Sequence, residues 1–192
     1  MIHHRRFAFV DLDGVIADST ARFEHAKAIT DARYPNGSLA DRDYCDLYWQ
    51  TVFDPQYVPL DVLIEGAADH LMILSALHTI VYLTSRPEAM RFATKQWLDE
   101  HNVLHFATNV LMKPEAAKYT KTFTWKASII QVWASAFGAT EVLVFEDEEI
   151  NLNEIKRYVA LPYALHCSKS LKLEEEKPVT YGEWDEDEDH PF

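Results

Sequence analysis

Three apolar runs punctuate this chain, and each closes on charged or hydroxyl-bearing residues. They are "FAFVDLDG" from Phe7, "TIVYLTSRP" from Thr79 and "EVLVFEDEE" from Glu141. Each run is of strand length and rich in β-branched and aromatic residues. None alternates with polar residues, as a strand wetted on one face would, so both faces of each are expected to be covered. The stretches between them carry helical spacing: 18–32, with Asp18 as N-cap; 65–77, with Ala67, Leu71 and Leu74; 87–101; and 148–158. Trp125, Ile129, Trp133 and Phe137 follow one another at i, i+4 and read as a core face. Weaker runs at 109–112 and 163–167 are expected to add short strands, and the aromatic-rich 41–60 a short helix and a loop. Strands alternating with helices predict an α/β fold of three layers, a parallel sheet between two sheets of helices.

In an open parallel sheet, ligands bind beyond the carboxyl ends of the strands. Asp11 and Asp13 follow the first run, Thr84 and Ser85 the second, Glu146 and Asp147 the third, so all are expected at one edge. Asp11 and Asp13, two apart, point the same way. Their like charges repel unless a cation or a reaction accounts for them. Carboxylates without neighbouring cysteine or paired histidine suit Mg²⁺, which is usually shared with a substrate phosphate. One carboxylate can attack phosphorus to give an aspartyl-phosphate, and the second can move protons. Thr84 and the Lys126 ammonium are candidates to hold the transferring group and offset its charge.

"DLDGV", "YLTSRP", the lysine of "TWKASII" and "VFEDEEIN" resemble, in order, the four signature motifs of the haloacid dehalogenase superfamily. The resemblance spans residues 7 to about 152. It implies a Rossmann-like α/β core of residues 1–16 and 61–170, a small helical cap of 17–60 inserted after the first strand, and an acidic tail of 171–192. It also implies a Mg²⁺-dependent phosphatase. Asp11 would be the nucleophile and Asp13 the general acid/base. Thr84, Ser85, Arg86 and Lys126 would bind the phosphorylated substrate. The metal would be held by Asp11, Asp147 and the backbone carbonyl of Asp13, with Asn151 supporting its shell. Glu146 departs from the family's usual Asp or Gly; it either reaches the metal through water or faces solvent. Arg86 either contacts substrate or pairs with an acid. The stretch "LTSRPEAMRFATKQWLDEH" with "NVLMKP" is also similar to the phosphatase part of polynucleotide kinase/phosphatases, which implies a nucleotide or a 3′-phosphorylated nucleic-acid end as substrate. Ser85 and Lys113 stand where that group carries Gly and Arg.

Of the net charge of −13, −7 falls in residues 171–192, which hold nine acids and two lysines. Such a tail is expected to be solvated, and the overall acidity opposes non-specific grip on a nucleic-acid backbone. A non-catalytic binding or regulatory protein, with a degenerate site and this tail as its contact, is the alternative reading. Cys45 and Cys167 form no metal-ligand pattern and are expected as free thiols. With no run of about 18 apolar residues and no secretion-type leader, a soluble, cytoplasmic protein without membrane contact is expected. Asn102 is expected to end a helix between His101 and His105, which excludes a histidine pair for metal. Asp41, Asp43 and Asp46 are expected as a solvated helix start.

Overall fold

The structure, a computed structural model, describes residues 5–159, 164–168 and 171; for 164–168 it gives the backbone and the side chain of Leu165. Strands β1 (Arg5–Val10), β4 (Thr79–Pro87), β5 (Ala107–Lys113), β6 (Ala139–Phe145) and β7 (Ala164–Ser168) form one sheet in the order β5-β4-β1-β6-β7. Every pairing in it is parallel. The period of two explains how one apolar run serves two layers. Ala8 and Val10, Ile80 and Tyr82, and Leu143 and Phe145 point to one face. Phe7 and Phe9, Val81 and Leu83, and Val142 and Val144 point to the other.

Helices α3 (Ala67–Ser75) and α4 (Arg91–Glu100) cover the first face with Leu71, Leu74, Trp97 and Leu98. Helices α5 (Thr122–Ala136) and α6 (Glu149–Tyr158) cover the second with Trp125, Ile130, Ala134, Leu152 and Ile155. Each such buried large side chain contributes about 1.5–3 kcal/mol. The expected three-layer α/β fold is therefore present.

The segment after β1 departs from the sheet. A two-stranded ribbon, β2 (Ala17–Asp18) antiparallel to β3 (Val62–Leu63), brackets helices α1 (Thr20–Arg33) and α2 (Arg42–Val52) and a 3-10 turn, Pro55–Leu60. More of 41–60 is helical than its irregular sequence implies. Asp18 accepts from Thr20 N at 3.0 Å, but Ser19 is the N-cap of α1, and its hydroxyl is drawn away to Asp13. The 87–101 stretch begins as a 3-10 turn, Glu88–Met90, before α4, and Asn102 (φ 56°) stops it as expected. Asp41, Asp43 and Asp46 are exposed. Cys45 is a free thiol. The tail of 172–192, His3, His4 and the Cys167 side chain lie outside the described residues. Among the described residues no helix is long and apolar enough to cross a membrane.

Candidate active site

Sequential strands run outward from β1 through β4 to β5, and the chain then returns to lay β6 on the opposite side of β1. This reversal puts the switch point between β1 and β6, where a crevice forms at the carboxyl edge. Asp11 sits at its lip. Its N–H donates to Phe145 O at 2.9 Å, continuing the β6 pairing by one residue, and its Oδ1 accepts from Leu12 N at 2.8 Å. The Lys126 ammonium, delivered from α5 and 2% exposed, donates to Asp11 Oδ2 at 2.6 Å and also to Glu146 Oε2. The other oxygen of Glu146 accepts from Asn151 Nδ2 at 2.9 Å. Asp147, exposed, completes the group: oxygens of Asp11, Glu146 and Asp147 lie within 4.8 Å of one another.

Three carboxylates face one ammonium among the described residues, so when all three are ionised the cluster carries two negative charges in excess. Burial pushes the Asp11 carboxyl well up, against the pull of Lys126 and with Glu146 and Asp13 adding to the rise. Burial also raises Asp147, with Glu146 adding. Lys126 is disfavoured by burial, but Asp11 and Glu146 outweigh that and hold its pKa above the ordinary value. A divalent cation matches this charge deficit, and an all-oxygen donor set matches Mg²⁺.

Gly14 is what allows Asp147 to be there. It adopts φ +76°, and a Cβ added to it would stand 2.0 Å from Asp147 Oδ2. The Asp-Gly pair of the first motif is thus a steric requirement of the third carboxylate as well as a turn signal.

Asp13 belongs to a different group. Its Oδ1 accepts from Ser19 Oγ at 2.5 Å, Arg22 Nη2 at 2.5 Å and Arg86 Nη2 at 2.6 Å, and its Oδ2 from Arg86 Nε at 2.9 Å. Asp61, fully buried, binds the same guanidiniums, at 2.8 Å to Arg22 Nε and 2.6 Å to Arg86 Nη2. Two acids and two arginines balance. Burial acts to raise Asp13, but Arg86 and then Arg22 outweigh it and hold the carboxyl far below the usual range.

Of the residues singled out from sequence, Asp11, Lys126 and Asp147 come together, and Glu146 turns inward to join them, 1% exposed, instead of facing solvent. Asn151 supports Glu146. The Asp13 side chain is turned from the carboxylate cluster to the guanidiniums. Thr84 is fully buried in β4, three residues before its end, its Oγ1 accepting from Arg86 N at 3.2 Å, and Ser85 beside it is half-buried. Arg86, fully buried, pairs with acids, the second of its two alternatives. Arg22 and Asp61 escaped the sequence reading. The buried face of α1 is Arg22, Ala26 and Thr30, an i, i+4 row with no large apolar residue to mark it.

No family model matches the chain, and no curated protein matches it in sequence. Solved structures match it in shape. A haloacid dehalogenase-like hydrolase from Streptococcus pneumoniae superposes with a TM-score of 0.64 at 13% identity, covering 86% of this chain and 95% of the other. The haloacid dehalogenase-type hydrolase YfnB from Bacillus subtilis, bound to magnesium, gives 0.57 at 12% identity, covering 81% and 84%. A chain of the Pnkp1/Rnl/Hen1 RNA repair complex gives 0.57 at 16% identity, covering 88% of this chain and 45% of the other. The protein thus has the fold of the haloacid dehalogenase-like hydrolases, with an acidic pocket at the carboxyl edge of its sheet.

Proposed function

We propose that this protein is a Mg²⁺-dependent phosphomonoesterase working through an aspartyl-phosphate on Asp11. The observation that carries this reading is the cluster of Asp11, Glu146 and Asp147 around the single Lys126 ammonium, with two negative charges unbalanced. Mg²⁺ would be held by Asp11, Asp147 and the Asp13 carbonyl, with Glu146 at hand, and would offset charge on the transferring phosphoryl group. The neighbour YfnB is bound to magnesium.

The chain's own residues supply the rest. An Asp11 carboxylate oxygen attacks phosphorus, and the Lys126 ammonium, already on that carboxylate, offsets the charge that builds there. The Thr84 hydroxyl and Ser85, in the carboxyl half of β4, would hold phosphate oxygens. Asp13 exchanges the protons: it protonates the departing oxygen, then takes a proton from the water that attacks the aspartyl-phosphate. Its guanidinium partners stabilise the charged carboxylate, which makes it a weak base and leaves it no proton to give at rest, so both duties require these ion pairs to loosen. The helical insert of 17–60 acts as a cap that selects the substrate. Phosphorylated small molecules, nucleotides and 3′-phosphorylated nucleic-acid ends are the substrate classes, the last supported by likeness to a chain of an RNA repair complex. The cytoplasm is the proposed compartment.

Hydrolysis of an aryl phosphate, with and without Mg²⁺, tests this. Turnover by the wild type with Mg²⁺ and background activity in Asp11→Asn are expected. A wild type no better than Asp11→Asn would overturn the proposal in favour of a binding or regulatory protein. A screen over nucleotides, 3′-phosphorylated oligonucleotides, sugar phosphates and phosphorylated amino acids then ranks the substrates.

A further inference from the structure

Each oxygen of Glu146 is held by a donor. Oε2 accepts from the Lys126 ammonium, and Oε1 accepts from Asn151 Nδ2 at 2.9 Å and from Glu148 N at 3.4 Å. Asn151 Nδ2 donates its second hydrogen to Glu148 Oε2 at 2.8 Å. A side-chain atom facing two carboxylates must be a donor, which sets the amide with its nitrogen toward them. Glu148 is exposed, whereas Asn151, Glu146 and Lys126 are buried. A line of hydrogen bonds thus runs inward from Glu148 through Asn151, Glu146 and Lys126 to Asp11. Asp147 stands apart from it, exposed and with no side chain donating to it among the described residues.

Local structure places this line. β6 ends at Phe145 and α6 begins at Glu149, so Asn151 stands in the first helical turn, three residues beyond Glu148 and on its side of the helix. Charge agrees with it. With the Lys126 charge set against Glu146, the two negative charges in excess fall on Asp11 and Asp147, the pair left for a divalent cation. The chemistry gives the pairing a use. An Asp11 oxygen bonds to phosphorus, the bond to the leaving oxygen breaks, and that oxygen takes a proton from Asp13. Asp11 thereby gives up its carboxylate charge, and a buried ammonium paired with it alone would lose its carboxylate partner. Glu146 keeps the ammonium paired and leaves it directed at the phosphoryl group.

We propose that Glu146 is the standing counter-ion of Lys126 and not a ligand of the cation, and that Asn151 is the positioning residue that keeps it so. The assignment rests on the phosphomonoesterase reading. It gives the adjacent carboxylates Glu146 and Asp147 separate roles: the first aims the ammonium, and the second faces the cation.

The test uses Asn151→Ala and Asn151→Asp. It reads kcat and KM on an aryl phosphate, Mg²⁺ affinity of the substrate-free protein by calorimetry, and the side-chain NMR signal of the Lys126 ammonium without metal. That signal is assigned by its absence from Lys126→Met. Both Asn151 variants are expected to lower kcat by about tenfold to about 100-fold, the order that an ångström of misplacement costs, with KM little changed. Asn151→Asp should do no better than Asn151→Ala, because a carboxylate cannot donate to Glu146. In Asn151→Ala, Mg²⁺ affinity is expected to hold or to rise, since Glu146 is freed to turn toward the cation. The Lys126 signal is expected to shift and to broaden through faster proton exchange. Wild-type kcat in Asn151→Asp would overturn the proposal. So would a Mg²⁺ affinity of Asn151→Ala that falls in step with kcat, because Asn151 would then serve the cation's shell. Glu148→Ala, at the exposed end of the line, covers the case of an Asn151 variant that does not fold. It is expected to move the Lys126 signal in the same direction by less, and a signal unmoved by it and by Asn151→Ala would overturn the proposal. If no phosphomonoester is hydrolysed, the phosphatase reading fails on its own, and the Lys126 signal still decides whether Asn151 positions the ammonium.

Discussion

Gly14 and Lys126 each do two things at once, and single substitutions separate them. In Gly14→Ala the new methyl would stand 2.0 Å from Asp147 Oδ2 on a backbone at φ +76°. The left-handed backbone costs a non-glycine residue about 1–2 kcal/mol, whereas the displaced Asp147 affects the cation site. A modest loss in urea unfolding with a loss of Mg²⁺-dependent turnover of at least about tenfold is expected, read by unfolding curves beside a Mg²⁺ titration of activity. Lys126→Met keeps the length of the side chain and removes the charge between Asp11 and Glu146. Removing one partner from a buried ion pair costs about 3–5 kcal/mol, so unfolding without Mg²⁺ should shift by that order. On the proposed Mg²⁺ site, added Mg²⁺ is expected to return part of the loss, because a cation held only by the folded cluster would stabilise the folded state. A variant as stable as the wild type without metal would contradict the charge account. Of these residues, Asp11, Lys126 and Asp147 were legible from motif order. The inward turn of Glu146 was not, because whether a carboxylate after a strand faces in or out depends on the lysine that meets it from another element.

Elements were legible where their burial was two-sided, as in β1, β4 and β6, and less so where one residue overrides a pattern. The i, i+4 series of α5 predicts a face of Trp125, Ile129, Trp133 and Phe137, but Phe137 is 42% exposed, and the buried residues of the helix are Trp125, Lys126, Ala127, Ile130 and Ala134. Aiming Lys126 at Asp11 turns the helix, and Ala127 and Ala134 join Trp125 and Ile130 against the sheet while Phe137 is left largely exposed. The end of α3 carries a similar conflict. His78, its side chain 7% exposed, has no hydrogen-bond partner for either ring nitrogen among the described residues; Nε2 is 3.8 Å from Glu141, which pairs with Arg6 at 2.9 Å. Burial lowers its pKa below the ordinary 6.5, Arg6 adds to that, and Glu141 opposes it. The unfolded chain therefore binds the proton more readily, so the associated stability is complete above about pH 6.5 and is lost as pH falls through the folded value. Thermal melts from pH 8 to pH 5 should fall more steeply for wild type than for His78→Gln; parallel curves would place the pH sensitivity elsewhere.

Across the whole molecule, charge divides into a cluster that lacks two positive charges and a quartet that lacks none, and the quartet joins the insert to the sheet. Arg22 comes from α1, Arg86 from the end of β4, and Asp61 from the return of the insert beside β3. Trp97 of α4 adds a hydrogen bond from Nε1 to Asp61 O at 3.0 Å. No local pattern announces this latch, since an arginine on a helix and an aspartate before a strand each read as solvated until the topology brings them together. A closed hydrogen-bonded ion network in low dielectric is rigid while complete and costly when broken. Asp61→Asn would leave two guanidiniums facing the single charge of Asp13, with an amide N–H₂ directed at one of them. A loss of about 3–5 kcal/mol is the order for a broken buried pair. Its distribution is the sharper readout, because the sheet cores on either face do not depend on Asp61. Hydrogen exchange should accelerate in α1 and α2 by more than in β1 and β6, and on the proposed phosphatase reading KM should rise as the insert is held less firmly to the sheet. Acceleration spread evenly over all strands and helices would mean that Asp61 supports the fold at large and does not latch the insert.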